Sequence, residues 1–587
     1  VSYASSKDNI GKEPITIVGL VADKCSLVAG VAPCTATQTG DLKCYNTRKT
    51  CNDTANYSKT TVEIKFCMPR SNLPVGEVMF PALHGEVKIA PTSVTAGKGL
   101  GSRSVGRAKI KDFPHHDRGI DPYYDERTYV AETTGTFWGK WLARNPYFEG
   151  RTLKVYDGYL NVPFSFNDFN VYEYDITEIS GPHGGEVTIS FKDVLIRTYK
   201  EKSQYPVKSL GELSADITSA ATSATLLPAG VGDTYPASGT VSIGKEAITF
   251  TRAGDVLTLT ARAQWGTTAK EHKEGNAVQI CSTWSAVNVI DVLYELLVTG
   301  SGLPASYIPY DDGATGIDDN WDDEKSLWMS SASVTGMLMK PEGIDKVIAE
   351  LSNDFMFDVW WDAKTQKVRI KSLSPEVGGS SINVLTEGYN ILKDSVKIKR
   401  DAGQRISQVQ VWYSKIDYSE NNDIENFAAA QITADVSRPS SDLYGSESIK
   451  VITSRWIDDV AQAITLSGRL LARFADTPEI VEFEVAVKDD DKFELAGRIE
   501  LNSWQLQGFS GANIGKRFQV TEIDPSESGH KVKVTCLTSS FSGRYFFIAP
   551  DGTPDYSAAS DAQKSAYGFI CPDSFLFSDG THGYNII

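Results

Sequence analysis

Eight cysteines are the residues of this sequence best suited to do chemistry, and their distribution is uneven. Five lie within the first 67 positions: Cys25, Cys34, Cys44, Cys51 and Cys67. Cys281, Cys536 and Cys571 are scattered. The segment Ala22–Asn56, which carries the first four, also contains Gly30, Pro33, Gly40 and many Thr, Asn and Asp residues. Such a stretch reads as loops and has too few large apolar side chains to build its own core. A bound metal centre can take the place of a core. Thiolates are soft donors that suit zinc or iron–sulfur clusters. Structural zinc sites usually carry close C-x2-4-C knuckles, and none occurs here. The wider spacings, Cys25 to Cys34 and Cys44 to Cys51, are easier to arrange around a larger cluster. Free buried thiols, disulfides and a zinc site stay open beside the cluster at this point. A disulfide framework more often spreads its pairs through a small secreted domain. Cys67 sits on the alternating run Val62-Glu-Ile-Lys-Phe-Cys67 and reads as a packed thiol or a substitute ligand.

The elements that must position these thiols read as mostly strand and turn. A chain of 587 residues exceeds what one core supports and should divide into several domains. Its 24 Pro and 48 Gly, with many Thr, Val, Tyr and Phe, lean toward β structure. From Thr61 to about Tyr205, the runs Glu86–Ala90, Leu153–Tyr156 and Glu186–Phe191 alternate apolar and polar residues as half-buried strands do. The aromatic-rich Thr136–Trp141 and Asn145–Phe148 are expected to cover a sheet face. Residues 209–280 turn rich in Ala, Ser, Thr and Gly and then show short strands at Thr240–Ile243, Ala247–Phe250 and Val256–Leu259, the pattern of a small inserted β module. A helix is expected over Trp284–Thr299, capped by Ser282 or Thr283, and a second after Pro341 with Ile344, Val347, Ile348, Leu351 and Phe355 as its stripe. Strands Phe357–Trp361 and Lys367–Ile370 follow, then Val396–Lys399 and Ile406–Tyr413. A third helix is expected over Ile457–Phe474 with Val460, Ile464, Leu471 and Phe474 on one face. Strands at Val481–Val485, Arg517–Thr521 and Lys531–Thr535 close the pattern.

The fold class expected is therefore mainly β with α+β parts, multidomain. It runs as a cysteine-rich lobe at 1–60, a β domain at 61–208, the inserted module at 209–280, an α+β domain at 281–385, a β domain with one helix at 386–545, and an extended arm at 546–587. No run of 18 apolar residues occurs, so a transmembrane helix is not expected. The first twenty residues are polar until Ile15–Leu20, with charges on both sides, unlike a secretory signal peptide, and assembly in a cytoplasm is expected.

Other motifs carry less. Phe113-Pro-His-His-Asp-Arg-Gly-Ile-Asp121 offers two histidines without a third ligand at metal spacing, so a solvated loop is expected. Ile317–Glu324 is acidic but lacks the Gly and terminal Glu of a calcium loop, and it also reads as a solvated loop. Lys488–Lys492 reads as a hairpin tip. There is no G-x-S-x-G elbow, Walker loop, H-E-x-x-H helix or dinucleotide fingerprint. The 58 basic residues against 75 acidic ones give a formal charge of −17, which argues against tight binding to nucleic-acid phosphates. It suits a wall past which DNA slides.

The Cys25-x8-Cys34 and Cys44-x6-Cys51 pairs resemble the four-cysteine motif of the iron–sulfur tail-tip proteins of lambda-type siphophages, with a shorter linker, Thr35 to Lys43, between the pairs. The flanking text Gly30–Cys34 and Lys43–Arg48 also resembles phage tail-hub sequences. So do Phe113–Tyr159 with Trp138-Gly-Lys-Trp141, Gln264–Thr268 in the inserted module, and the C-terminal Arg544–Ser557 and Tyr567–Ile570. The resemblance implies β-barrel-like hub domains and an iron–sulfur cluster, by preference in its [4Fe–4S] form, on Cys25, Cys34, Cys44 and Cys51. It implies a non-enzymatic central hub at the distal end of a bacteriophage tail, a homo-oligomer with a trimer preferred. Such a hub closes the tube, docks tape-measure, distal-tail and fibre proteins, and lets DNA pass without specific binding, so the virion tail tip is the expected location. The alternatives are an iron–sulfur redox enzyme, for which no flavin or nicotinamide pocket is readable, and a glycan-binding or glycan-degrading tail protein, for which no acid–base pair can be isolated.

Overall fold

The computed structural model describes residues 6–7, 13–70, 72–74, 76–94, 101, 104–128, 135–160, 164–199, 203–310, 320–373, 382–434, 447–507, 511, 515–527 and 531–538, with scattered positions between 554 and 563. The chain is mainly β, built as several sheets with α+β parts. The arm expected over 546–587, including Cys571, lies outside the described residues apart from those scattered positions.

The sheet that carries the cysteines has eight strands. In spatial order these are Met79–Phe80, Lys59–Cys67, Pro14–Cys25, Thr152–Tyr159, Asn170–His183, Glu186–Lys192, Val105–Lys111 and Lys88–Ile89. Alternation in Val105–Lys111 and Glu186–Lys192 puts Ala108, Ile110, Val187, Ile189 and Phe191 into the core, the period-2 burial of a sheet covered on one face. The cover is the helix Phe137–Arg144, capped by Thr136, whose hydroxyl accepts from the Gly139 N–H at 3.3 Å. Its Phe137, Trp138 and Trp141 are buried, and Trp138 stacks on Phe66 with ring centroids 5.5 Å apart. The aromatic run covers the sheet as expected, but as a helix. A boundary at residue 60 would cut this sheet, because Pro14–Cys25 pairs with both Lys59–Cys67 and Thr152–Tyr159. The cysteine lobe is the excursion 26–58 from a central hairpin whose last pair is Cys25 with Lys59.

The module's three central strands are Ser238–Ile243, Glu246–Ala253 and Val256–Gln264, around a core that includes Leu226, Val241, Ile248, Phe250 and Leu257. Its last strand, Val278–Asn288, continues outward to pair with Ser333–Leu338. The helix expected from Trp284 therefore starts later, at Val289–Glu295, capped by Asn288, whose side chain accepts from the Ile290 N–H. The Gln264–Thr268 turn seats the module on the segment after strand Gln408–Lys415. Trp265 packs edge-on against Tyr418 at 5.3 Å, and Gly266 lies so near the Ile416 carbonyl that a Cβ would meet its oxygen at 1.7 Å.

Helices Ile344–Phe355 and Val460–Phe474 and strands Phe357–Asp362 and Lys367–Ser372 share the largest core. Pro341 lies ahead of the first helix rather than in its first turn, because Glu342–Gly343 pairs with Gln204–Tyr205 before the helix begins. On Val460–Phe474 the buried residues include Ala463, Leu466, Leu470, Leu471 and Phe474, while Val460 and Ile464 are about half exposed. The buried face is rotated from the expected one. The second half of the acidic run is helical, Asn320–Trp328, rather than a loop. Trp321 is fully buried and donates to the Val368 carbonyl at 2.8 Å, and Glu324 pairs with Lys371 at 2.7 Å. Residues 311–319 of that region lie outside the described residues. The Lys488–Lys492 run forms a 3-10 turn within Val487–Lys492, with Asp490 paired to Lys7 at 2.7 Å. A further sheet runs Asn383–Thr386, Arg498–Asn502, Lys516–Glu527, Lys531–Thr538, Glu479–Ala486 and Lys397–Arg400. Thr92–Ser93 pairs onto Lys516–Glu527, joining the N-terminal and C-terminal β regions.

One buried ion pair holds the module's strands together. Glu246, 1% exposed at its side chain, accepts from Arg262 Nε at 2.7 Å and Nη2 at 2.8 Å, meets His272 Nε2 at 2.8 Å and accepts from the Lys270 N–H at 3.1 Å. Burial alone would raise its carboxyl, but the hydrogen bonds from Arg262, Lys270 and His272 outweigh that and bring it from 4.5 to about 2. A carboxyl depressed on folding stabilises fully above its ordinary value and loses that contribution as pH falls toward the folded one, here ~3 kcal/mol. Glu246→Gln should destabilise the module by about 3–5 kcal/mol and flatten its stability between pH 4.5 and 2. Hydrogen exchange of residues 238–264 against pH reads both.

Candidate metal centre

Four of the thiols come together in the excursion 26–58 and its root. Cys25, Cys34 and Cys44 are buried, Cys51 is half-buried, and no disulfide joins them. Cys44 lies within electrostatic reach of the other three. Burial raises its thiol, a hydrogen bond from the Asn46 N–H opposes this, and negative charge on Cys51, Cys34 and Cys25 would raise it further. Two of the sulfurs already accept backbone N–H groups two residues on, Ala36 to Cys34 Sγ and Asn46 to Cys44 Sγ, each at 3.4 Å. An N–H aimed at sulfur stabilises thiolate over thiol.

Among the described residues, no three Cys, His, Asp or Glu side chains converge closely enough to ligate one metal ion. A [4Fe–4S] cluster asks for something different, because each of its four thiolates binds a separate iron. Cys25, Cys34, Cys44 and Cys51 are the residues that would hold such a group, and two of their sulfurs already accept an N–H. Cys67 stands apart. It occupies the far end of its strand, opposite Ile17, and packs with Ile15, Tyr156 and Phe169 as a buried thiol raised by desolvation.

The residues that hold the lobe were not singled out by sequence. Asn46 adopts a left-handed backbone, φ 56°. Its carbonyl accepts from the Cys25 N–H at 2.7 Å, its side-chain amide reaches the Cys25 and Leu27 carbonyls at 3.4 Å, and its side-chain oxygen accepts from Tyr123 Oη at 2.8 Å. Tyr123 Oη in turn accepts from the Ala29 N–H at 2.8 Å. Arg127, 2% exposed at its side chain, pairs with Asp121 at 2.5 Å and donates to the carbonyls of Gln38 and Cys44. Tyr45 lies between two guanidiniums, Arg127 at 4.1 Å and Arg144 at 3.9 Å from its ring centroid. Asn residues in left-handed turns and lone Arg residues are common, so the signal was too weak to isolate from one sequence.

The His115-His116 loop belongs to this clamp. His115 Nδ1 accepts from the Asp117 N–H at 3.0 Å, and His116 Nδ1 accepts from the Arg118 N–H at 3.2 Å. Asp117 binds Arg144 at 2.7 Å and Lys140 at 2.9 Å. Burial works to raise its carboxyl, but those two cations hold it below the usual range.

Arg127→Met should remove the partner of a buried carboxylate and two carbonyl contacts, costing about 3–5 kcal/mol locally. Amide exchange across residues 26–58 should accelerate while the strands Thr152–Tyr159 and Glu186–Lys192 keep their protection. Unchanged exchange in the lobe would show that Arg127 does not hold it.

No protein-family model matches the chain, and no curated protein does. Solved structures similar to it include a tail protein from Neisseria meningitidis MC58, 9% identical with a TM-score of 0.36, covering 75% of this chain and 90% of that one. The 43 kDa tail protein of prophage MuSo2 from Shewanella oneidensis is 9% identical with a TM-score of 0.34, covering 78% and 95%. Prophage tail protein gp18 from Listeria monocytogenes EGD-e is 10% identical with a TM-score of 0.30, covering 76% and 87%. These likenesses are distant, and a functional reading has to rest on the chain's own residues.

Proposed function

We propose that the chain is a structural subunit of the distal hub of a bacteriophage tail, and that Cys25, Cys34, Cys44 and Cys51 bind one [4Fe–4S] cluster that staples its N-terminal lobe. The gathering of four thiols in a core-poor excursion from a central hairpin supports the reading most directly. The pairing of their spacings resembles the tail-tip motif, which connects the lobe to the tail. The cluster's chemistry here is to tie four thiolates into one point, so that Asn46, Tyr123 and Arg127 orient a lobe rather than serve a reaction. The role is non-enzymatic.

In this reading the β regions ring the tube end as a homo-oligomer, preferably a trimer. They dock the tape-measure, distal-tail and fibre proteins at the virion tail tip. The −17 charge gives the lumen its sign. Each Lys or Arg on a phosphate would release counterions and bind passing DNA, whereas an acidic wall lets it pass.

Anaerobically purified protein should be brown, absorb broadly at about 400 nm and bleach in Cys44→Ser. Imaging of assembled tails should find the chain as a closed ring at one end with an Asp/Glu-lined lumen. A monomer in intact tails, or a basic lumen that retains DNA at physiological salt, would remove the hub reading. Colourless protein with stoichiometric zinc or two disulfides would remove the cluster while leaving the hub to be judged by the ring.

A further inference from the structure

A cleft of about 330 Å³ lies beside the cysteine lobe, where the excursion meets the sheet and the helix Phe137–Arg144. That volume is in the range of small-molecule sites. Its wall contains five cations, Arg48, Lys49, Lys59, Arg144 and Arg151, against a single carboxylate, Asp23. In a chain of net charge −17 this is a local reversal of sign, and a concave wall of one sign concentrates oppositely charged ligands.

The charges are only partly spent inside the protein. Arg144 is committed to Asp117 and to the Tyr45 ring. Asp23 is shared between Arg151 and Lys59, the latter at 3.4 Å with 55% of its side chain exposed. Arg48 donates to the Thr54 carbonyl at 3.0 Å and leans over the Tyr57 ring. Lys49 is exposed and makes no ion pair among the described residues. One carboxylate therefore cannot balance the cleft.

Its other wall is aromatic: Tyr57, Trp141, Tyr147 and Phe148. Tyr147 is 61% exposed, an unusual place for a large ring with nothing on it. The Tyr57 hydroxyl is buried and has no hydrogen-bond partner among the described residues.

We infer that this cleft binds a small organic phosphate, with the phosphate on Arg48, Lys49 and Lys59 and the flat or sugar body on Tyr147 and Phe148. Guanidinium forks and ammonium groups from separate segments match the several oxygens of a phosphate better than one carboxylate. An exposed ring beside them supplies a stacking surface for a sugar or a base. The site does not depend on the hub reading.

Calorimetric titration of the anaerobically purified full chain tests this with glucose 6-phosphate, AMP, glucose, inorganic phosphate and tetraglutamate as probes. Glucose 6-phosphate or AMP should bind saturably, and which is tighter separates a phosphosugar from a nucleotide. Glucose should not bind, and inorganic phosphate should bind more weakly than either. Lys49→Glu with Lys59→Glu should weaken binding at least about tenfold, or ~1.4 kcal/mol. Tyr147→Ala should weaken the organic phosphates and leave inorganic phosphate unchanged. Because Tyr147 is exposed, it keeps the test decisive if the double variant misfolds. No saturable binding up to about 10 mM, equal affinity for tetraglutamate or for inorganic phosphate, or Tyr147→Ala binding like the parent would overturn the inference.

Discussion

The closing pair of one hairpin, Cys25 opposite Lys59, sets the problem that the N-terminal region has to solve. Between those residues the chain leaves a fully paired sheet and returns to it without burying a core of its own. What it buries is Ala29, Cys34, Ala36 and Cys44 around a borrowed Tyr123, while Val28, Val31 and Leu42 stay exposed. At ~25 cal/mol per Å² such small side chains contribute about 1 kcal/mol each. With so little apolar burial, polar clamps carry much of the order in the lobe.

Apart from Asn46, the clamps are built from outside the excursion. Tyr123, Arg127 and Arg144 all come from the segment and helix that cover the eight-stranded sheet, so the lobe is fastened to the same layer that buries Trp138 and Trp141. Asp121 and Asp117 neutralise the two guanidiniums and fix their aim. Order in the lobe thus depends on order in the sheet. The sheet is in turn tied to the C-terminal β region through Thr92–Ser93 on Lys516–Glu527. Arg127 carries the clamp as far as the Gln38 carbonyl, and Asn52 ties Thr37 and Leu42 beyond it.

Much of this was legible in the residues. The strands of alternating burial and the module's three central strands follow from periodicities that a single sequence displays. The aromatic run 136–141 was readable as a sheet cover but not as a helix, since eight residues hold too few turns to show a period. The acidic run misled because its charges mask one anchor: Trp321, buried against Val368, turns a solvated stretch into the helix Asn320–Trp328. On Val460–Phe474 the small residues Ala463 and Ser467 face the core, and the larger Val460 and Ile464 do not, so choosing a face by size rotated it. The clamp around the thiols was invisible for a different reason. Asn46, Tyr123 and Arg127 act across long sequence separations, and nothing local distinguishes them.

The four thiols are proposed to hold a multinuclear iron–sulfur centre. X-ray absorption at the iron and zinc edges of anaerobically purified full-length protein tests this most directly. The expected result is stoichiometric iron with a first shell of sulfur alone and a short iron–iron vector, both lost in Cys44→Ser. A zinc edge with four sulfurs and no metal–metal scattering, or protein free of either metal with a protected lobe, would contradict it.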